Sequence, residues 1–174
     1  MGRINQKSYI VKPYEYLNPD QAIVYVDLDG VAAHFDGMFL ERVPDEVKEA
    51  RMNTPEFWRD MPPMPYAIPA IKWLKKNFNT LFLSTAPWNN PVAWMEKRLW
   101  VEKHFGSDFE KRLGLTHWKN LSMGDYLIDD RTKNGAGEFP GELILFGSEG
   151  FETWPKICTY LAQKELNNFD LQNF

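Results

Sequence analysis

A run of four β-branched and aromatic residues, Ile23-Val24-Tyr25-Val26, ends abruptly at Asp27-Leu28-Asp29-Gly30. A stretch that is apolar at consecutive positions cannot offer one face to water, so it suits a strand covered on both sides, as in the middle of a parallel sheet. The pattern returns. Thr80-Leu81-Phe82-Leu83-Ser84 runs into Thr85, Tyr126-Leu127-Ile128 runs into Asp129-Asp130, and Glu142-Leu143-Ile144-Leu145-Phe146 runs into Gly147. Helical patterns lie between these runs. Residues 69–77 carry Ile71 and Leu74, and residues 91–105 carry Met95, Leu99 and Val101, with Asn90 as N-cap, Pro91 at the first helical position and Gly106 past the end. Residues 152–166 put Trp154, Ile157, Cys158 and Leu161 on one face, a docking stripe for a last helix. Strands alternating with helices predict an α/β layer fold around a parallel sheet. Ligands of such sheets collect at the carboxyl ends of the strands, which is where Asp27, Thr85 and Asp129 fall.

Residues 35–65 break the alternation. They hold a charged helical stretch over 44–51, then Phe57-Trp58, then the turn-rich Met61-Pro62-Pro63-Met64-Pro65. This reads as a small helical cap inserted after the first strand, with residues 1–34 and 66–174 as the core. A chain of 174 residues fits one such unit without disulfides, and the single cysteine, Cys158, suits a reducing compartment. The first twelve residues are polar and the apolar runs are short, so neither export nor a membrane span is expected, and the cytoplasm is the expected location. Residues 1–21, with Tyr9, Tyr14 and Tyr16, read as an arm leading into the first strand. The net charge of −4 argues against binding long nucleic acid.

The chemistry sits at the strand ends. Asp27 and Asp29 leave the first strand toward one space, and Gly30 permits the sharp turn behind them. One carboxylate can attack phosphorus, and a neighbour can protonate a leaving oxygen and then deprotonate water. Alone, Asp-x-Asp-Gly is also an ordinary strand-end turn. Asp129-Asp130 at a second strand end would converge on the first pair and repel it unless a cation intervenes. Mg²⁺, a hard ion that takes carboxylates and phosphate oxygens, answers that need. Thr85 offers a hydroxyl and the amides after it to a phosphoryl oxygen, and Lys119 a positive charge.

These elements in this order resemble the haloacid dehalogenase-like phosphohydrolase superfamily, with a Rossmann-like three-layer core. Within it, the chain is most similar to the 5′(3′)-deoxyribonucleotidases. Asp27-Leu28-Asp29-Gly30-Val31-Ala32-Ala33-His34-Phe35, Ser84-Thr85-Ala86-Pro87, Lys119 and Leu127-Ile128-Asp129-Asp130-Arg131 resemble that family's motifs in turn. The resemblance implies a Mg²⁺-dependent phosphomonoesterase acting on (deoxy)nucleoside monophosphates through an aspartyl-phosphate. It implies Asp27 as nucleophile and Asp29 as general acid/base. Thr85, the amide of Ala86 and Lys119 would bind phosphate. Asp27, Asp29 and Asp129 would bind Mg²⁺, with Asp130 supporting or sharing that role. Phe35 and Trp58 would contact base or sugar from the insert.

Other readings remain beside it. The three histidines have no metal-ligand spacing, and no dinucleotide or Walker fingerprint is present. Trp73, Trp94, Trp100 and Trp154 fall in expected helices, where tryptophan packs more often than it stacks on single strands. Gly135-Ala136-Gly137 reads as a loop beside the site. The same core could act on a sugar phosphate or other small phosphoester, or serve as a non-catalytic binding module. The aromatic content is compatible with a homodimer.

Overall fold

The computed structural model describes residues 17–35 and 44–172; the tyrosines of the expected arm and positions 36–43 of the expected insert lie outside the described residues. Strands β1 (Ile23–Val26), β2 (Asn79–Ser84), β3 (Leu113–Leu115), β4 (Tyr126–Asp129) and β5 (Glu142–Leu145) pair in parallel in the order β3-β2-β1-β4-β5. Val26 lies opposite both Phe82 and Ile128. The chain order reverses between β1 and β4, which makes the crevice outside their carboxyl ends the natural ligand site of the sheet. Asp27 leaves β1 at that crevice, its amide donating to the Ile128 carbonyl at 2.9 Å.

Four helices complete the described fold: α1 (Asp45–Met52), α2 (Ala67–Asn77), α3 (Pro91–Phe105) and α4 (Trp154–Gln172). One sheet face, carrying Val24, Val26, Phe82, Ile128 and Ile144, joins Ile71 and Leu74 of α2, Trp100 and Val101 of α3 and Trp154, Ile157 and Leu161 of α4 in a single apolar cluster. Trp58 and Met61, from the segment between β1 and α2, belong to the same cluster. The opposite face, with Tyr25, Leu83, Leu127 and Leu143, packs on Ala136 and Phe139 of the turn that follows β4. The result is the α/β arrangement around a parallel sheet that the strand pattern predicts, and the Rossmann-like core that the resemblance implies. Among the described residues no helix is long and apolar enough to cross a membrane.

The ends of α3 follow their sequence signals. The Asn90 side chain accepts from the Ala93 amide at 3.1 Å, Pro91 opens the helix, and Gly106 ends it at φ +58°. Its inward face does not follow the expected stripe. Val101 is buried, but Met95 is exposed, and Glu96 and Lys97 point into the protein together with Ala93 and Trp100. Burying two polar, ionisable side chains in mid-helix requires partners on other elements, and an apolar-periodicity argument cannot see them. The edge strand β3 also differs from expectation. Its three residues, Leu113-Gly114-Leu115, are too few to show a period, and pairing with Phe82 to Ser84 is what makes them a strand.

Candidate active site

Four carboxylates meet at the crevice. Asp27 and Asp29 arrive from the end of β1, and Asp129 and Asp130 from the end of β4. The turn after β1 is tight: Gly30 adopts φ +80°, and a Cβ there would lie 2.5 Å from Asp130 Oδ2. Glycine is needed here on two counts, the left-handed backbone and the close approach of the second acidic pair. Asp27, Asp29, Thr85, Lys119 and Asp129 line one cavity of about 20 Å³, together with Arg131, Lys133 and Asn134. That is room for little more than one water. Their own ion pairs close it.

Lys119 makes those pairs. It opens a short 3₁₀ turn (Lys119–Leu121), and its buried ammonium donates to Asp27 Oδ1 at 2.8 Å and to Asp129 Oδ2 at 2.5 Å. Burial would lower its pKa, but the two carboxylates outweigh that and hold it above the ordinary lysine value. Asp129 is pushed up to about 6 by burial and by the like charge of Asp27. Burial likewise raises Asp130, whose Oδ1 accepts from the Arg131 guanidinium at 3.2 Å. Thr85 stands at the end of β2, and its hydroxyl donates to the Thr116 carbonyl at 2.7 Å; Ala86 beside it is buried.

Asp29 lives in a different environment. Its Oδ2 accepts from Lys97, and its Oδ1 is buried with no hydrogen-bond partner. Burial raises its pKa, against the lowering effect of Lys97. A carboxyl whose pKa burial raises, with one oxygen uncommitted, is placed to give and take a proton. Lys97 also donates to Ser84 Oγ at 3.3 Å and sits 4.8 Å from the centre of the Trp58 ring. Its neighbour Glu96 accepts from the backbone amides of Glu56 at 2.5 Å and Trp58 at 3.1 Å. Neither residue follows from a motif. The available signal was positional: Lys97 lies four residues after buried Ala93 and four before buried Val101, on the inward face of α3.

The aromatic residues expected at the substrate divide into two roles. Phe35 is half-buried and stacks on Trp58, with ring centres 5.6 Å apart. Trp58 itself is 2% exposed, and its indole N–H donates to the Met52 carbonyl at 3.0 Å. It therefore backs Phe35 and Lys97 rather than offering a free face. Larger cavities lie away from this chemistry, such as one of about 620 Å³ between the end of α3 and β3.

The donor set fits a hard divalent cation. Asp27, Asp129 and Asp130 each bring a carboxylate oxygen within 4.8 Å of the others, and after burial the like charge of Asp27 raises Asp129, a repulsion that such an ion would relieve. The Asp29 carboxylate is turned to Lys97 and is not one of these three.

Comparison with known proteins points the same way as the geometry. The profile of a family described as "5' nucleotidase, deoxy (Pyrimidine), cytosolic type C protein" matches residues 44–152. A protein of Vibrio phage KVP40 named "Putative 5'(3')-deoxyribonucleotidase" is 47% identical, over 83% of this chain and 87% of its own. The mouse "5'(3')-deoxyribonucleotidase, mitochondrial" is 34% identical over 72% of each chain. The human "5'(3')-deoxyribonucleotidase, cytosolic type" is 32% identical over 71% of this chain and 78% of its own.

Proposed function

The chain belongs to the 5′(3′)-deoxyribonucleotidase family of haloacid dehalogenase-like phosphohydrolases, and from that premise we propose that it hydrolyses (deoxy)nucleoside monophosphates to nucleoside and phosphate. The observation that carries this reading is the pairing of one metal-type carboxylate cluster, Asp27 with Asp129 and Asp130, with a separate protonatable carboxyl, Asp29. Asp27 attacks phosphorus and becomes the aspartyl-phosphate. Asp29 gives its proton to the departing nucleoside oxygen, then takes one from the water that attacks the aspartyl-phosphate. Thr85, the Ala86 amide and Lys119 receive the phosphoryl oxygens. Asp27, Asp129 and Asp130, with the Asp29 backbone carbonyl, would hold Mg²⁺, which when bound supplies positive charge against the carboxylates and the phosphoryl group. Residues 35–65 act as a cap over the core formed by 1–34 and 66–174, and Phe35, backed by Trp58, contacts the nucleoside. The single cysteine, Cys158, suits a reducing, cytoplasmic location.

The test is phosphate release from ribo- and deoxyribonucleoside 5′- and 3′-monophosphates and from sugar phosphates, with and without Mg²⁺, against an Asp27→Asn blank. Mg²⁺-dependent release from nucleotides that vanishes in the blank is the expected result. Preference for sugar phosphates would move the substrate, and turnover by the Asp27→Asn protein would overturn the mechanism.

A further inference from the structure

Nearly every cation around the cavity is already committed. Lys119 is shared by Asp27 and Asp129, and Arg131 leans on Asp130. The exception is Lys133. It lines the same cavity from the loop that follows the acidic pair, and its ammonium has no hydrogen bond or ion pair among the described residues. The side-chain amide of Asn134, next to it on the rim, is uncommitted in the same sense.

The backbone beneath these two residues is held firmly. The Lys119 amide donates to the Asn134 carbonyl at 2.9 Å, Ala136 N–H to the Lys133 carbonyl at 3.1 Å and Gly137 N–H to the Thr132 carbonyl at 3.0 Å. Asn134 and Gly135 turn through φ +56° and +79°, and a Cβ on Gly135 would come 2.2 Å from Asn120 Oδ1. The chain at Lys133 is thus bolted to the phosphate-binding lysine itself. A lysine on such a base offers a compact charge on a flexible stem, able to follow a phosphate without being fixed to one geometry.

We propose that Lys133, assisted by the Asn134 amide, forms a phosphate-receiving lip that meets the dianion of the entering ester and of the departing inorganic phosphate. Lys119 already gives two of its three ammonium protons to Asp27 and Asp129, whereas the Lys133 ammonium is unshared beforehand among the described residues. The lip acts on binding rather than on bond breaking, because its ammonium is exposed at the rim while the reacting carboxylates are buried. This inference rests on the nucleotidase reading for its substrate, but not for its phosphate.

Steady-state kinetics of Lys133→Gln and Lys133→Arg in Mg²⁺ test it, together with inhibition by inorganic phosphate and by nucleoside. For Lys133→Gln, KM and the phosphate inhibition constant are expected to rise together by roughly fivefold, with the loss in KM rather than kcat. Nucleoside inhibition stays as in wild type, Arg restores most of the loss, and added salt narrows the gap. Unchanged KM and phosphate inhibition, or a loss falling on kcat, would overturn the lip. Calorimetric binding of inorganic phosphate to both proteins separates the two readings. If wild type releases no phosphate from any nucleotide, the nucleotidase reading fails. A weaker phosphate affinity of Lys133→Gln would still support the lip, and equal affinities would sink it.

Discussion

Two lysines are buried within the same site, and they are held in opposite ways. Lys119 lies between two carboxylates at the strand ends, Asp27 and Asp129, and lines the cavity where a phosphate would enter. Lys97 is fully buried on α3 and closed in by one carboxylate, one hydroxyl and an indole ring: Asp29, Ser84 and Trp58. The first pairing involves two members of the carboxylate cluster, so the proposed cation would take over the neutralisation of Asp27 and Asp129. The second is part of the packed interior, its lysine fully buried. A pair of the first kind would open during the proposed reaction cycle, whereas the second keeps a fully buried lysine beside its carboxyl partner in the packed interior.

Metal and stability measurements can break that contrast. Lys119→Met should lower turnover by about 10³-fold, since the proposed donor to the phosphoryl group is lost. It should also destabilise the metal-free protein, with Mg²⁺ returning the thermal midpoint toward wild type. A loss of stability that Mg²⁺ leaves untouched would erase the distinction between the two lysines. Lys97→Met should cost about 3–5 kcal/mol in urea unfolding, because Asp29 is left buried without its partner, and Mg²⁺ should recover little of it. Recovery equal to that of Lys119→Met would break the comparison from the other side.

Smaller changes sharpen it. Glu96→Gln weakens two hydrogen bonds that hold the Glu56 and Trp58 amides, at a cost of about 2–3 kcal/mol. Limited proteolysis should then cut first near residues 56–58 while the sheet stays protected; uniform cleavage would show that Glu96 does not tether this segment. Trp58→Phe keeps a ring under Phe35 but removes the indole donor to Met52 and weakens the contact with Lys97, at a cost of about 1–2 kcal/mol. Nucleotide KM should move less in this variant than in Phe35→Ala. The reverse order would make Trp58 the substrate contact and Phe35 its support.

The same two lysines mark where sequence reasoning reached and where it stopped. Lys119 was legible because it stands in a row of motifs, after Thr85 and before Asp129-Asp130, each next to an apolar run that reads as a strand. Lys97 sits in the middle of a helix whose ends were legible from Asn90, Pro91 and Gly106, but whose buried face was not. Periodicity assigns the inside of a helix to its apolar residues, and α3 turns Glu96 and Lys97 inward while exposing Met95. Lys133 was missed for another reason, since a loop lysine has no pattern and only its place on the cavity rim distinguishes it.

By itself the sequence determined the parallel α/β core, the strand ends that carry Asp27, Thr85 and Asp129, and the family, because short-range signals set each of these: runs of apolar residues, turn glycines and spaced acids. The tertiary structure alone decided which charges neutralise which. It took Asp29 away from the other three carboxylates to Lys97, put Trp58 behind Phe35, and left the Lys133 ammonium free at the rim. Those choices depend on distances of a few ångströms between residues far apart in the chain, and Coulomb interactions and burial act on distance in space, which no local pattern encodes.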